Sequence, residues 1–273
     1  MPDRPDIAHI ASQMKAAQDQ VRQVEPFTSK HAALDVPCAY QVSESIHAAR
    51  VAEGALPVGR KIGFTNPEMW AIYGVDAPIW AYMYDKTVVH LTDQKQTCSL
   101  ARFVEPKIEP EIVFHFCSSP PTGGDLRKIL ECIDWVAHGF EIVQSHFPRW
   151  QFQAADTVID GALHGTLLLG KPIATSQIET DLITALESFS LDLFCNGMLR
   201  AQGTGRNVLG SPLVAIAHLI AMLEKQHLFM PLQAGEIVTT GTVTAAQAVR
   251  AGETWQTAIA GIELPGLSVN FVA

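Results

Sequence analysis

The sequence predicts an α+β protein with a small helical N-terminal region, residues 1–60, followed by a large strand-rich domain, residues 61–273. Apolar residues recur at helical spacing over residues 7–17, and a second helical segment runs from about residue 39 to residue 52. Strand signals dominate the rest of the chain. They do not alternate regularly with helices, so a parallel βαβ sheet is disfavoured.

The strand-rich part contains several segments with a strand signal. In the last of them, apolar and polar residues alternate from Leu267 to Phe271, as in a half-buried strand. The segments are residues 87–91, 108–116, 166–169, 191–194, 237–240 and 267–271.

Further helices are predicted within the same part of the chain. Asn66-Pro67 combines a helix cap with a proline in the first turn, and Gly74 provides a stop. Apolar residues at helical spacing predict a helix over residues 126–140. Another helix is expected to begin at Ser211-Pro212, with an apolar stripe at positions 213, 216, 220 and 223.

The charge of the chain disfavours several classes of protein. Its formal net charge is −9, and its Lys and Arg residues are scattered. A general nucleic-acid or anionic-membrane binder would need basic patches instead. We therefore expect no nucleic acid and no membrane among its partners.

The cysteines and the apolar segments bear on location. The five cysteines are widely spaced and form no CxxC pair, which is typical of isolated thiols in a reducing compartment. The N-terminal residues lack the apolar core of a signal peptide. The longest apolar stretch, residues 213–223, is interrupted by His218 and is too short to span a bilayer. These features predict a cytoplasmic protein.

Paired carboxylates are the sharpest chemical feature of the sequence. Glu109 and Glu111 are two residues apart in a predicted strand, so both point to the same face. Two such charges repel each other unless they are solvated, protonated or bridged by a cation. Magnesium and manganese prefer oxygen ligands, so the pair suits either ion. The alternative is an exposed strand face on which Lys107 offsets the charge.

Three other residues are candidates for a site. Glu141 lies in an apolar run, where a carboxylate is often paired or metal-bound, although a strand-edge position is equally open. Lys61, flanked by Gly59 and Gly63, is either a general acid/base and anion anchor or an ordinary turn lysine. His164, between glycines, is either functional or a satisfied core or loop histidine.

The order of several motifs resembles the 2-keto-4-pentenoate hydratase group of the fumarylacetoacetate hydrolase superfamily. The likeness runs from about residue 33 to the C-terminus, and the combination is far more specific than any single piece. The motifs are GRKIGFTNPEM (59–69), GVD (74–76), KIEPEIVF (107–114), FEIV (140–143), DTVIDGALHGTLLLG (156–170), LGSPLVAIAHLI (209–220) and GEIVTTGTVTAA (235–246).

The resemblance implies a large β-rich roll after a small N-terminal region, and magnesium or manganese as cofactor. It further implies that Glu109, Glu111 and Glu141 are the metal ligands and that Lys61 is the catalytic lysine. It places Asp76, Gly241 and Thr242 near the substrate. Gln144 and Asp160 are further candidates for binding the substrate, and Arg60 is a candidate because a site of three carboxylates needs additional positive charge to accept an anionic substrate.

The chain also departs from the pattern of these hydratases. Gly161 stands where they usually have Asn, Leu163 where a small polar residue is usual, and Gln144 where Asp is common. These changes make the predicted pocket wall less polar. His164 is a candidate to replace a lost hydrogen bond and joins Lys61 as a candidate catalytic residue.

These observations and the resemblance predict a metal-dependent hydro-lyase that hydrates a 2-hydroxy-2,4-dienoate to a 4-hydroxy-2-oxo acid. One alternative is a 2-oxo acid decarboxylase or a C–C bond hydrolase of the same superfamily, the latter with His164 as base. Another is a non-catalytic partner subunit, against which the intact Glu109, Glu111, Glu141 and Lys61 argue. The expected partner is a small 2-oxo or 2-hydroxydienoic acid, and a homo-oligomer is expected.

Overall fold

The structure is a computed structural model that describes residues 5–67, 70, 75, 77–92 and 96–273. The described residues contain six α-helices in full. These are α1 (Ile7–Asp19), α2 (Val36–Ala52), α3 (Leu126–Leu130), α4 (Ala154–Ile159), α5 (Leu182–Ser188) and α6 (Pro212–Lys225).

The strands form two sheets. They are β1 (Pro57–Gly63), β2 (Ile79–Tyr84), β3 (Val88–His90), β4 (Thr97–Ser99), β5 (Lys107–Phe116), β6 (Ile133–Val143), β7 (His164–Leu169), β8 (Ile173–Ala174), β9 (Ser190–Cys195), β10 (Met198–Thr204), β11 (Ile237–Thr242), β12 (Gln247–Ala248), β13 (Thr254–Ala260) and β14 (Ser268–Val272). The larger sheet has the order β2-β1-β11-β5-β6-β7-β3, with β12 paired to β5 and β8 to β6. The smaller has the order β10-β9-β13-β14-β4.

The larger sheet curls on itself. Its two edge strands, β2 and β3, are consecutive in the chain and are joined only by Asp85–Thr87. So short a connection requires the two edges to lie close together, and the sheet therefore closes into a roll. The β-rich roll predicted from the sequence is confirmed.

The inside of the roll has its own apolar core, separate from the main one. It consists of Met83, Val113, Ala137, Leu167, Leu169 and Ile237. The opposite face of the same strands packs into the larger core, which includes the helices. A strand buried on both faces must be apolar on both faces.

This double burial explains a wrong prediction. The helix expected over residues 126–140 ends at Leu130, and the chain continues as strand β6 from Ile133. Because β6 is buried on both faces, its apolar residues fall by coincidence at helical intervals, and periodicity alone cannot separate the two structures. The other helices and strands predicted in the described residues are confirmed. The helix expected between Asn66 and Gly74 lies largely outside the described residues.

Helix α6 belongs to the main core. The helix and the turn before it, residues 205–225, form a segment that is long and apolar enough to cross a membrane. Half of the most apolar part of this segment is buried in the protein. Its residues Leu213, Ile216 and Leu219 are fully buried. It packs against β11, α3 and α5.

The N-terminal helices support the loop that follows α4. Helix α2 packs against α1 and α4, and the Gln18 amide donates to Asp160 at the end of α4. Strand β1 spans the boundary at residue 60 that the sequence predicts between two domains. The division into two domains stays a prediction.

Gly59 makes a prediction about the β1–β11 pair. A Cβ at Gly59 would lie 1.9 Å from the carbonyl oxygen of Ile237, which belongs to this parallel ladder and cannot move aside. We expect Gly59→Ala to lower the free energy of unfolding by about 3 kcal/mol, measured by urea denaturation. The control is Gly123→Ala, where a Cβ meets nothing within 4 Å and only the positive φ costs roughly 1 kcal/mol. Equal losses would contradict the steric argument.

Candidate metal centre

Three glutamates meet on the inner face of the roll. Glu109 and Glu111 lie on β5, and Glu141 lies directly opposite Glu109 on the antiparallel strand β6. One carboxylate oxygen from each residue lies within 4.8 Å of the others. Glu111 and Glu141 are fully buried, and Glu109 is partly buried. We call these three residues the glutamate cluster.

A break in the β11–β5 ladder fixes Glu111. Pro110 has no N–H, and its carbonyl accepts from Val243, so its missing donor faces β11. The register of β11 shifts between Thr239 and Thr242 at this point. The N–H of Gly241, inside the shift, donates instead to Oε2 of Glu111 at 2.9 Å.

Gly241 itself has no acceptable replacement. Its φ is +96°, a conformation that residues with a side chain rarely adopt. A Cβ there would lie 1.8 Å from Oγ1 of Thr65. The backbone therefore approaches both Thr65 and the carboxylate of Glu111.

Lys61 reaches the cluster across the roll. Its strand, β1, is separated from β6 by β11 and β5, and the curl of the sheet brings its side chain to Glu141. Nζ lies 3.1 Å from Oε2 of Glu141 and donates to the carbonyl of Ala162 at 2.8 Å. Ala162 and Leu163 both have positive φ, 52° and 65°. This strained turn presents the Ala162 carbonyl to Lys61.

The buried charges shift one another's pKa. Burial opposes ionisation of Glu141, but Lys61 and then His164 outweigh it and lower the pKa of Glu141 to about 2. Burial and then the charge of Glu141 raise the pKa of Glu109 to about 7, and they raise the pKa of Glu111 well above its usual range. Burial disfavours the ammonium of Lys61, but the cluster outweighs it and raises the pKa of Lys61. One lysine therefore compensates one glutamate, and the other two resist ionisation.

Two oxygens of the cluster lack donors. Oε1 of Glu111 and Oε2 of Glu141 are buried, and neither has a hydrogen-bond donor among the described residues. The 3.1 Å contact of Lys61 with Oε2 of Glu141 is an ion pair outside hydrogen-bond geometry. Buried carboxylate oxygens are normally paired, so this arrangement fits a bound cation. Oxygen donors alone suit a hard divalent ion.

A cavity of about 120 Å³ opens beside the cluster, and we call it the front cavity. Its polar lining includes Lys61, Thr65, Glu109 and Thr242. Most of its remaining wall is apolar. The apolar lining residues are Ile62, Phe64, Ile79, Val143, Trp150, Ala162, Leu163, Ala245 and Ala246.

His164 lies behind Glu141 and does not line the front cavity. Its Nδ1 is 2.7 Å from Oε1 of Glu141, and its Nε2 is 2.9 Å from Oγ1 of Thr87. Because an ionised carboxylate only accepts, Nδ1–H is the donor. This contact orients Glu141 from the side away from Lys61.

Comparison with known proteins decides the family. The family described as fumarylacetoacetate (FAA) hydrolase C-terminal matches residues 73–266. The chain belongs to the fumarylacetoacetate hydrolase family. The resemblance found in the sequence is confirmed.

Two curated members of the family match nearly the whole chain. The 2-keto-4-pentenoate hydratase 1 of Dechloromonas aromatica (strain RCB) is 30% identical over 260 residues, 92% of this chain and 92% of the relative. The 2-hydroxyhexa-2,4-dienoate hydratase of Comamonas testosteroni is 28% identical and covers 96% and 97% of the two chains. Both relatives are named as hydratases, the enzyme class predicted from the sequence.

A solved structure shows the same fold. The 4-oxalocrotonate decarboxylase from Pseudomonas putida G7, complexed with magnesium and adipate, superposes with a TM-score of 0.89. It is 24% identical, and the match covers 100% of this chain and 99% of that one. The whole chain therefore has the same fold as that enzyme.

Arg60 does not supply the positive charge expected of it near the site. As the neighbour of Lys61 in a strand, it points to the opposite face. It pairs with Glu236 at 3.1 Å and lies 5.0 Å from the ring centroids of both Trp80 and Tyr82. Arg60 thus stabilises the outer face of β1.

Gln144 and Asp160 also lie away from the front cavity. Gln144 accepts from the backbone of Val104, and Asp160 accepts from the backbone and ring of His146. Both line a second cavity of about 380 Å³ on the far side of His164, which we call the rear cavity. Gly241 and Thr242, by contrast, line the front cavity as expected. Asp76 lies outside the described residues.

Two residues that line the front cavity, Thr65 and Trp150, are not predicted as site residues from the sequence. Thr65 belongs to the first family motif, and its buried Oγ1 has no partner among the described residues, but nothing in the motif assigns it a role. Trp150 reaches the cavity from a turn after β6, and no pattern marks it.

The raised pKa of Glu109 predicts how stability depends on pH without metal. An acid whose pKa rises from 4.5 to about 7 on folding stabilises the fold below pH 4.5 and loses that contribution as the pH rises through about 7. We therefore compare the free energies of unfolding of Glu109→Gln and of the unmodified protein. The difference between them should favour the variant more at pH 8 than at pH 5. Chemical denaturation with a chelator present at both pH values measures this difference. The exposed Glu131→Gln is the control, and a pH-independent effect of Glu109→Gln would contradict the assignment.

Proposed function

We propose that this protein is a divalent-metal-dependent hydratase that adds water to a 2-hydroxy-2,4-dienoate and yields a 4-hydroxy-2-oxo acid. The glutamate cluster beside the charged Lys61 is the observation that carries the proposal. The names of the curated relatives support the reaction and the type of substrate.

The donor set of the cluster fits a magnesium or manganese ion. Glu109, Glu111 and Glu141 would hold the ion through carboxylate oxygens. Two of these oxygens have no hydrogen-bond donor among the described residues. Related folds are described with magnesium, with calcium and with manganese, which supports a divalent ion. We propose magnesium or manganese for this chain. When bound, the ion would stabilise negative charge on the 2-oxygen of a 2-oxo or 2-hydroxy acid.

Lys61 would hold and deliver a proton at Nζ. Its pKa is raised, so the side chain carries its proton at neutral pH. The Ala162 carbonyl and Glu141 hold Nζ at the wall of the front cavity. From there the ammonium can attract the anionic substrate and donate a proton to its C5, while the proton that the 2-hydroxyl loses restores the ammonium. A water molecule would then add across the remaining C3=C4 double bond, with its hydroxyl on C4 and its proton on C3.

The front cavity favours a monoacid over a diacid. Lys61 is the only cationic side chain in its described lining, and it already faces the cluster. A second carboxylate at the far end of a substrate would meet mainly apolar side chains, where an unpaired charge is costly. This disfavours decarboxylation of a 2-oxo diacid. His164, the nominee for the base of a C–C hydrolase, does not line the cavity.

We also propose that the protein acts in the cytoplasm as a homo-oligomer. Cys98, Cys117, Cys132 and Cys195 form no disulfide in the part of the chain that the structure describes, which suits a reducing compartment. Met198 and Leu199 in one hairpin, and Leu228 and Met230 after α6, are large exposed apolar residues. Exposed apolar groups of this size support an interface between copies.

The assignment of the metal ligands predicts the effect of Glu111→Gln. Removing one ligand charge while keeping the shape should weaken manganese binding by roughly 100-fold, since even supporting residues contribute up to that much. Titration calorimetry measures the affinity, and turnover at limiting manganese should fall with it. The exposed Glu131→Gln should bind manganese normally. Unchanged affinity in Glu111→Gln would remove this residue from the metal site.

The role of Lys61 predicts a different outcome for Lys61→Met. This variant should keep its fold and still bind manganese, but kcat should fall by roughly 100- to 10,000-fold because the proton donor is lost. Loss of dienol absorbance follows turnover, and Lys171→Met on the surface is the control. Near-normal turnover would show that Lys61 has no catalytic role.

A further inference from the structure

The front cavity reaches past the glutamate cluster to the end of β6, where Val143 lines it. Successive residue pairs on the inner face are Glu111 with Gly139, Glu109 with Glu141, and Lys107 with Val143. The cluster occupies the first two pairs. Val143 of the third pair lines the front cavity, roughly 7 Å further along the strands. A substrate held at the cluster therefore has open space towards Val143.

Trp150 forms the wall at that end. Trp150 lines the front cavity, and Nζ of Lys107 lies 3.6 Å from the centroid of its ring. Because Lys107 belongs to the third pair, Trp150 stands beyond Glu109 on the side away from Glu111. The ring is thus placed where the far end of a substrate would be.

The backbone at Trp150 is strained. Arg149 and Trp150 have φ values of 57° and 58°, and neither is glycine. Two successive residues in the left-handed region persist only where surrounding contacts impose them. Such strain is concentrated at functional sites, and here it sets the direction of one side chain that faces a cavity.

Several contacts impose this conformation. The indole N–H of Trp150 donates to the carbonyl of Glu105 at 3.1 Å, and its backbone N–H donates to Phe147 at 3.2 Å. The carboxylate of Glu105 accepts from the backbone of Arg149 at 3.3 Å. Lys107 adds a cation–π contact. The indole is therefore fixed before any substrate arrives.

We infer that Trp150 is the specificity-determining residue for the far end of the substrate. Together with Val143 and Leu163 it selects 2-hydroxy-2,4-dienoates that carry an apolar alkyl substituent beyond the reacting carbons. A rigid aromatic wall provides contact area without ordering a flexible side chain. The inference rests on the proposed function for the nature of the acid, and on the cavity alone for the apolar tail.

The test compares tail lengths in two assays. In the first, kcat/KM is measured with manganese for 2-hydroxypenta-2,4-dienoate and 2-hydroxyocta-2,4-dienoate. In the second, calorimetry measures the affinity of the manganese-loaded protein for pyruvate and 2-oxooctanoate, which needs no turnover. The variants are Trp150→Ala and Trp150→Phe. Trp135→Phe is the control, because Trp135 stacks on His115 and does not line the front cavity.

We expect Trp150→Ala to lower the long-to-short ratio by roughly tenfold in both assays, mainly through KM for the longer substrate. Trp150→Phe should retain most of the ratio, and Trp135→Phe all of it. An unchanged ratio in Trp150→Ala would overturn the inference. If this variant does not fold, Trp150→Leu, which shortens the wall, is judged by the same ratio.

The two assays separate this inference from the proposed function. If the unmodified protein hydrates neither dienoate, the proposed function fails. A preference for 2-oxooctanoate over pyruvate that Trp150→Ala removes would still support the role of Trp150. If the unmodified protein hydrates both dienoates without any preference between them that depends on Trp150, the proposed function stands and the inference fails.

Discussion

The burial of three carboxylates beside one ammonium is the constraint on which the rest of the structure depends. Lys61 compensates Glu141, whose pKa is lowered to about 2, while Glu109 and Glu111 are left with raised pKa values. Such an arrangement is unfavourable in the metal-free protein, because burial penalises charges that lack a partner. A divalent cation between the three carboxylates, as proposed above, would remove the repulsion. The proposed site would therefore lower the stability of the protein without metal and raise its affinity for the ion.

Three features of the fold hold the glutamate cluster and Lys61 in place. The short β2–β3 connection forces the sheet to curl, which brings Lys61 across the roll to Glu141. The missing N–H of Pro110 coincides with the register shift that turns the N–H of Gly241 to Glu111. His164 fixes the other side of Glu141. Each of the two fully buried carboxylates, Glu111 and Glu141, is therefore oriented by a hydrogen bond from a residue of a neighbouring strand. The apolar core of the roll lies beneath them.

The sequence predicts the cluster well because its geometry is local or nearly so. Glu109 and Glu111 share a face by the alternation of a strand, and the ordered motifs add Glu141 and Lys61. The same alternation, applied to Arg60, would have placed it on the face opposite Lys61. The apolar pattern of residues 133–140 predicts the second half of a helix, because a strand buried on both faces carries no period of its own. The positions of Gln144, Asp160 and Trp150 depend on turns and long-range packing, which one sequence does not reveal.

The most direct test of the central claim is an anomalous difference map from a crystal of this protein soaked with manganese and oxalate. The account predicts one strong manganese peak bounded by the carboxylates of Glu109, Glu111 and Glu141, with oxalate extending from it into the front cavity beside Lys61. A peak elsewhere, or a glutamate cluster that stays empty at saturating manganese while the fold is intact, would contradict it.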